Sequence, residues 1–316
     1  MSTERKSLSP ICRLEDGGYN TLYIKREDLI PYSFGGNKAR KATLFFEAFD
    51  REGCDYMVTY GSSHSNHCRV IANMCASRSV PCMIIAPSEV SDYTYNSALI
   101  DMFGAEIITV PTDKVHDTIE EKLESLRQKG FRPFFIEGGG HGNIGTEAYV
   151  QCYDEIRGYE AENGIKFDYI FFASGTGTTH AGLVCGQVMA KDERHIVGIS
   201  IARPNPRGRD VVLKSINDYL CYKGITYDTD VIESNTVFID DHVGDGYGKL
   251  NADIDDTIKT VMIKYGIPLD STYTGKAFYG MQQYIESHDL KNKNILFIHT
   301  GGTPLFFDDL TRIMSN

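Results

Sequence analysis

The sequence predicts an α/β protein of two domains, each built in three layers with helices on both faces of a parallel sheet. Three observations carry this. Apolar runs of strand length recur along the chain, segments with helical spacing separate most of them, and the runs are too many for one small sheet. With 316 residues, 41% of them hydrophobic and 24% charged, the chain is long enough for two cores.

The first run, Leu22 to Lys25, is short, and Pro31 with Gly35-Gly36 marks a loop after it. A helix follows in which Ala42, Phe45 and Phe49 stand i+4, i+7 and i+11 from Lys38. That spacing turns Lys38 toward the core and places Arg40, Lys41 and Glu47 elsewhere. Further strands are expected at 56–60, 82–86, 106–110, 134–136, 169–173, 196–201, 236–239 and 295–299. Helical spacing is clearest at Val115–Gln128, Thr146–Tyr159 and Asp253–Tyr265. The polar stretch Glu160–Lys166 is the best candidate for a crossing between domains.

Composition excludes several classes. A net charge of −11 disfavours nonspecific nucleic-acid binding, which needs a basic face. No apolar run approaches the roughly 20 residues of a membrane span, and the start MSTERKSLSP lacks the apolar centre of a signal peptide. Eight scattered cysteines without a CxxC pair read as reduced thiols, so a cytoplasmic enzyme is expected.

Ligands of open α/β sheets sit at the carboxyl ends of strands, and the informative loops lie there. They are Gly61–His67, Gly138–Gly142, Ser174–His180 and His299–Gly302. In the third, glycines let backbone N–H groups converge, the hydroxyls of Thr176, Thr178 and Thr179 can donate, and a helix begins. That is a cup for one phosphate group. No Gly-Lys-Ser/Thr follows, so a nucleoside triphosphate is not expected. Gly140–Gly145 is a literal GxGxxG, but the next strand ends in Ser174-Gly175 rather than in the acidic residue a dinucleotide ribose needs. His64, His67 and Cys68 lack a second ligand pair for zinc, so no metal is expected. The loop carrying Arg203, Arg207 and Arg209 is solvated surface or a partner for a substrate anion. No GxSxG motif is present.

A lysine turned inward at a helix start loses water and meets the positive end of the helix dipole. Both favour the neutral amine, which can form an imine with a carbonyl compound. Together with a single-phosphate cup, it implies pyridoxal 5'-phosphate.

The motifs GGNKARK, Ser65–His67, SGTGTTHAG, YTGKA and HTGG resemble the D-cysteine desulfhydrase and 1-aminocyclopropane-1-carboxylate (ACC) deaminase family. They stand in the family's order from about residue 22 to about 304. The resemblance implies a tryptophan-synthase-β-like fold (fold type II) and a homodimer. It also implies a large cofactor-binding domain from residues 1–50 and 164–316, with a small domain, 51–163, inserted. Lys38 resembles the Schiff-base lysine, and Asn66 the residue that bonds the cofactor's ring oxygen. Gly175, Thr176, Gly177, Thr178 and Thr179 resemble the phosphate cup. Ser65 resembles the residue that holds the substrate carboxylate or assists proton transfer, and Tyr247 and Tyr273 the two active-site tyrosines.

Members that open the ACC ring resemble YEGK and HLGG, with a carboxylate near the pyridine nitrogen. Here Thr274 and Thr300 occupy those places, as in the desulfhydrases. A hydroxyl leaves the ring largely neutral, which suits α,β-elimination better than extended carbanion storage. His64, Ser271-Thr272 and the arginine loop depart from the desulfhydrase pattern. The expected activity is elimination from a small amino acid, D-cysteine foremost, giving pyruvate, ammonia and sulfide. Lys38 would take the α-proton. ACC deamination, or elimination from cysteate, serine or another β-substituted alanine, is the alternative.

Overall fold

A computed structural model describes residues 7–14, 18–62, 64–89, 93–242 and 251–315. The larger sheet contains β1 (Ile11–Leu14), β2 (Thr21–Arg26), β7 (Tyr169–Ser174), β8 (His195–Ser200), β9 (Val237–Ile239) and β10 (Asn294–His299). Their order is β1-β2-β10-β7-β8-β9, parallel except for the antiparallel edge pair β1–β2. The smaller sheet contains β3 (Tyr56–Tyr60), β4 (Cys82–Pro87), β5 (Glu106–Val110) and β6 (Pro133–Ile136). It is wholly parallel, in the order β5-β4-β3-β6.

The helices in chain order are α1 (Asn37–Arg51), α2 (Asn66–Ser77), α3 (Tyr95–Met102), α4 (Val115–Gln128), α5 (Asn143–Asn163) and α6 (Thr178–Ala190). They continue with α7 (Arg207–Tyr222), α8 (Thr229–Asn235), α9 (Ala252–Tyr265), α10 (Thr274–Ser287) and α11 (Thr303–Ser315).

Central strands of the larger sheet are buried on both faces, which is why they read as continuous apolar runs. Their side chains alternate between two cores, as a period of two requires. Ile170, Phe172, Leu296 and Ile298 pack on α5, α6 and α7. Phe171, Ala173, Ile295 and Phe297 pack on α9, α10 and α11. The smaller sheet repeats the plan, with Met57, Ile84 and Ile136 against α1 and α2, and Val58 and Ile85 against α4. Helices α5 and α6 touch at glycine, where a methyl group on Gly186 would stand 2.6 Å from Tyr153 Cβ.

Helix α1 corrects one expectation. Arg40 and Lys41, expected to face away from the core, are 2% and 1% exposed. Arg40 is received by two acids: Nε donates to Glu27 Oε2 at 2.6 Å and Nη1 donates to Glu155 Oε1 at 2.9 Å. Lys25 Nζ, Ser9 Oγ and Tyr149 Oη join the same buried network. Paired this way, a charge can be buried.

Candidate active site

A cavity of about 580 Å³ lies between the two sheets, at the carboxyl ends of β3, β6, β7, β8 and β10. Three helices begin at its wall. Lys38 is in the first turn of α1, Ser65 caps α2, and Gly177 caps α6. Unpaired N–H groups and helix dipoles therefore converge there and favour an anionic ligand.

Lys38 follows a backbone run that the sequence does not announce. Residues Tyr32, Ser33, Phe34, Gly35 and Gly36 all have positive φ, from 44° to 93°. Three of the five carry side chains, and such conformations persist only where surroundings hold them. Gly36 N–H donates to Glu27 O at 2.7 Å, and Asn37 N–H donates to Thr300 O at 2.9 Å. Lys38 Nζ donates to Gly139 O at 2.8 Å. Burial draws this amine down to about 8, against a small opposing effect of Cys68. A substantial neutral fraction exists near physiological pH.

The loop Gly175–Thr179 lies within reach of that amine. A methyl group on Gly139 would stand 2.8 Å from Thr176 Cγ2 and 3.4 Å from Lys38 Nζ. Gly175, Thr176, Gly177 and Thr179 line the cavity, and Asn37 Nδ2 donates to Thr179 Oγ1 at 3.2 Å. Thr178 is set behind the wall, where its Oγ1 accepts from Lys41 Nζ at 2.6 Å. Burial, then Lys38, holds the Lys41 amine well below its ordinary value. A phosphate on the cup would restore its charge. Helix spacing did not place Lys41 beside this loop.

Ser65 Oγ accepts from Cys68 N–H at 3.3 Å. Asn66 Oδ1 accepts from Asn96 Nδ2 at 3.1 Å and from Arg69 Nη1, which leaves the amide nitrogen for the cavity. His67 is explained without zinc. Thr59 Oγ1 gives its proton to Ile136 O, so His67 Nε2 donates to Thr59 Oγ1 at 2.9 Å. Burial, with Lys38 and Lys41 adding to it, keeps this imidazole neutral. Among the described residues, no three His, Cys, Asp or Glu side chains are gathered as a metal would require.

Tyr273 and Thr300 line the cavity. Thr274 stands one layer back: its hydroxyl donates to Asp270 Oδ2 at 2.8 Å and accepts from Asp270 N–H at 3.0 Å. Tyr247 lies outside the described residues. Of the arginine loop, Arg203 alone among Arg203, Arg207 and Arg209 reaches the cavity, donating Nη1 to Gly175 O at 2.9 Å. Arg209 is spent on the carbonyls of Glu233 and Thr236. His64 does not line the cavity, and its carbonyl accepts from Asn96 Nδ2 at 2.7 Å. Within the GxGxxG run, Gly145 packs on the Gly140 carbonyl, so the glycine serves close packing.

Lys38, a buried second amine, an anion cup and an asparagine donor fit one aldehyde, one phosphate and one ring oxygen. Comparison with known proteins agrees. A family model described as pyridoxal-phosphate dependent enzyme matches residues 7–301. The D-cysteine desulfhydrase of Yersinia enterocolitica is 32% identical over 310 residues, spanning 95% of this chain and 92% of that protein. A crystal structure of an ACC deaminase homologue superposes with a TM-score of 0.87 at 29% identity, over 98% of this chain and 94% of the other. Cysteine synthase from Entamoeba histolytica shares the fold, with a TM-score of 0.68 at 17% identity over 99% and 93% of the two chains. The architecture is thus fold type II, as the motifs implied.

Proposed function

The chain belongs to the pyridoxal-phosphate-dependent enzymes, and on that premise we propose that it is a lyase performing α,β-elimination on a small amino acid, D-cysteine foremost. The observation that carries this is the meeting of Lys38, Ser65, Asn66, Tyr273 and the phosphate cup around one cavity. When bound, the cofactor supplies an aldehyde for the substrate amine and a conjugated ring that draws electrons from the α-carbon. Gly175–Thr179 and Lys41 would hold its phosphate, and Asn66 its ring oxygen.

Lys38 acts as the base that removes the proton from the substrate's α-carbon. A pKa near 8 suits this task, because the amine is partly neutral yet basic enough to take a proton. Ser65 and the first N–H groups of α2 receive the substrate carboxylate. Tyr273 gives a proton to the departing sulfur. One water consumed per cysteine balances the products pyruvate, ammonia and hydrogen sulfide.

An ACC deaminase homologue among the similar structures makes ring opening the second reading. Thr274 argues against it. The nearby carboxylate, Asp270, is shielded by that hydroxyl and by the N–H groups of Thr272 and Tyr273. Cytoplasmic location and a homodimer complete the proposal. They rest on the cysteine usage and the family motifs, and light scattering checks the dimer. Among the described residues, no helix is long and apolar enough to cross a membrane.

Pyruvate release over a panel of D- and L-amino acids and ACC tests the activity. D-cysteine is expected to give pyruvate and sulfide in equal amounts. A Lys38→Ala protein should lose about 10²–10⁴-fold in turnover. Full turnover by that variant would overturn the mechanism, and preference for ACC would replace the substrate.

A further inference from the structure

Arg69, one turn into α2 from Asn66, is 1% exposed. Its Nε donates to Ser33 Oγ at 3.1 Å, and its Nη1 donates to Asn96 Oδ1 at 2.6 Å and to Asn66 Oδ1. All three acceptors are neutral. Among the described residues no carboxylate pairs with this guanidinium, whereas buried Arg40 and Arg194 each meet two acids. A buried cation without a counter-charge is strongly unfavourable unless something bound supplies the negative charge. Burial lowers Arg69 to about 9, which leaves it charged at neutral pH.

Arg69 does not line the cavity, but Asn66, which accepts from it, does. Asn66 Oδ1 is taken by Arg69 and by Asn96, and Asn96 Oδ1 is itself taken by Arg69. The closed ring fixes the Asn66 amide with its nitrogen turned to the cavity and draws electron density away from that nitrogen. Ser33, on the other side, lies in the left-handed run that delivers Lys38.

We propose that Arg69 is a positioning residue whose charge, relayed through the Asn66 amide, stabilises an anionic oxygen on the ligand in the cavity. The oxygen is the ring oxygen of pyridoxal phosphate. This rests on the reading of the cavity as the cofactor site. Arg69 polarises the Asn66 amide, and Asn66 supplies the hydrogen bond. Lysine is a poor substitute, because a single ammonium cannot hold Ser33, Asn66 and Asn96 in one plane.

The test is a pH titration of the visible absorption of the cofactor-loaded protein, with cofactor affinity measured by equilibrium dialysis. Wild type is compared with Arg69→Met, Arg69→Lys and Asn66→Ala, and melting temperatures establish that each is folded. Lys38, Lys41, Glu137, His67, His141 and Arg203 surround the cavity and are common to all of these proteins.

Removing a cation makes the oxygen harder to ionise, so the midpoint in Arg69→Met should rise by about one pH unit. Arg69→Lys should recover part of that shift. Combining Arg69→Met with Asn66→Ala should move the midpoint no further than Asn66→Ala alone, because the relay is already cut. If Arg69→Met does not fold, Arg69→Gln makes the same comparison, keeping donors without charge.

An unchanged midpoint in a folded Arg69→Met or Arg69→Gln protein overturns the inference. So does full additivity with Asn66→Ala. An unchanged midpoint with weaker binding of a carboxylate inhibitor assigns the charge to the substrate and likewise overturns it. A wild-type protein that takes up no cofactor overturns the reading of the cavity and this inference together.

Discussion

Gly36 and Gly301 meet back to back, so closely that a methyl group on Gly301 would stand 2.6 Å from Gly36 Cα. Both glycines have positive φ, 93° and 101°. The contact fixes the start of α1 against the loop after β10, and with it the place of Lys38. Gly301→Ala therefore meets backbone on one side and unfavourable φ on the other. It should cost about 1–3 kcal/mol in urea unfolding and weaken cofactor binding. Gly158 is the control. It lies inside α5 with ordinary φ and open space around it, so Gly158→Ala should stabilise by about 0.5–1 kcal/mol. Equal effects at the two positions would refute the close-approach argument.

Lys38 should announce its lowered pKa in the cofactor-free protein. Only the neutral amine reacts with an acylating reagent, so its labelling rate should rise about tenfold per pH unit and level off near 8. An ordinary solvent-exposed lysine should still be accelerating there. Mass spectrometry of labelled peptides reads both in one experiment. A Lys38 profile that tracks the bulk of the surface lysines would remove the physical basis for its role.

The network beneath α1 predicts part of the acid limb of stability. Burial alone would raise Glu27, but Arg40, Lys25 and Ser9 outweigh it and bring the carboxyl down to about 2. The folded state thus holds the carboxylate more tightly than the unfolded chain, whose value is near 4.5. This stabilisation is complete above about 4.5 and is lost as pH falls through about 2. Its full size is on the order of 3 kcal/mol. Glu27→Gln should flatten that limb in denaturation experiments while lowering stability at neutral pH, because Arg40 loses a charged partner. An unchanged acid limb would mean that the network is not coupled to unfolding.

Much of the fold was legible because burial on both faces leaves a simple record. The apolar runs of β7, β8 and β10 could be little else than inner parallel strands, and the glycine loops after them mark the cavity. Strand β1 left no such record. It is four residues long, and its middle two side chains are exposed. The burial of Arg40 and Lys41 was illegible for a different reason. Glu155 and Thr178 are more than a hundred residues away and Glu27 lies outside the helix, so the local pattern shows only two basic residues on a helix. Arg69 did carry a faint signal: it stands between Cys68 and Val70, in a helix whose neighbouring residues are apolar. Hydroxyl direction has no sequence trace, and so Thr274 was assigned to the cavity although it serves Asp270.

That assignment gives Asp270 its importance. The carboxyl is fully buried, and its Oδ1 accepts the N–H groups of Thr272 at 3.0 Å and Tyr273 at 2.7 Å. Its Oδ2 accepts from the hydroxyl of Thr274 and packs against Gly302, so one carboxylate braces two loops of the cavity. Burial raises it to about 6, with Thr274 and Tyr273 opposing and Asp309 adding to the rise. A raised value means that the folded state binds the proton more tightly than the unfolded chain, whose value is 3.8. Stability from this group therefore falls as pH rises from about 3.8 to about 6, by about 3 kcal/mol in all. Asp270→Asn does not titrate, so the stability gap between wild type and variant should narrow across that window. The variant also turns an amide NH₂ toward donors, at a cost of about 1–3 kcal/mol, and loosens the turn that presents Tyr273. On the proposed function, its elimination rate should drop while cofactor affinity holds. Stability curves that stay parallel from about pH 4 to about 6 would show that Asp270 does not titrate there.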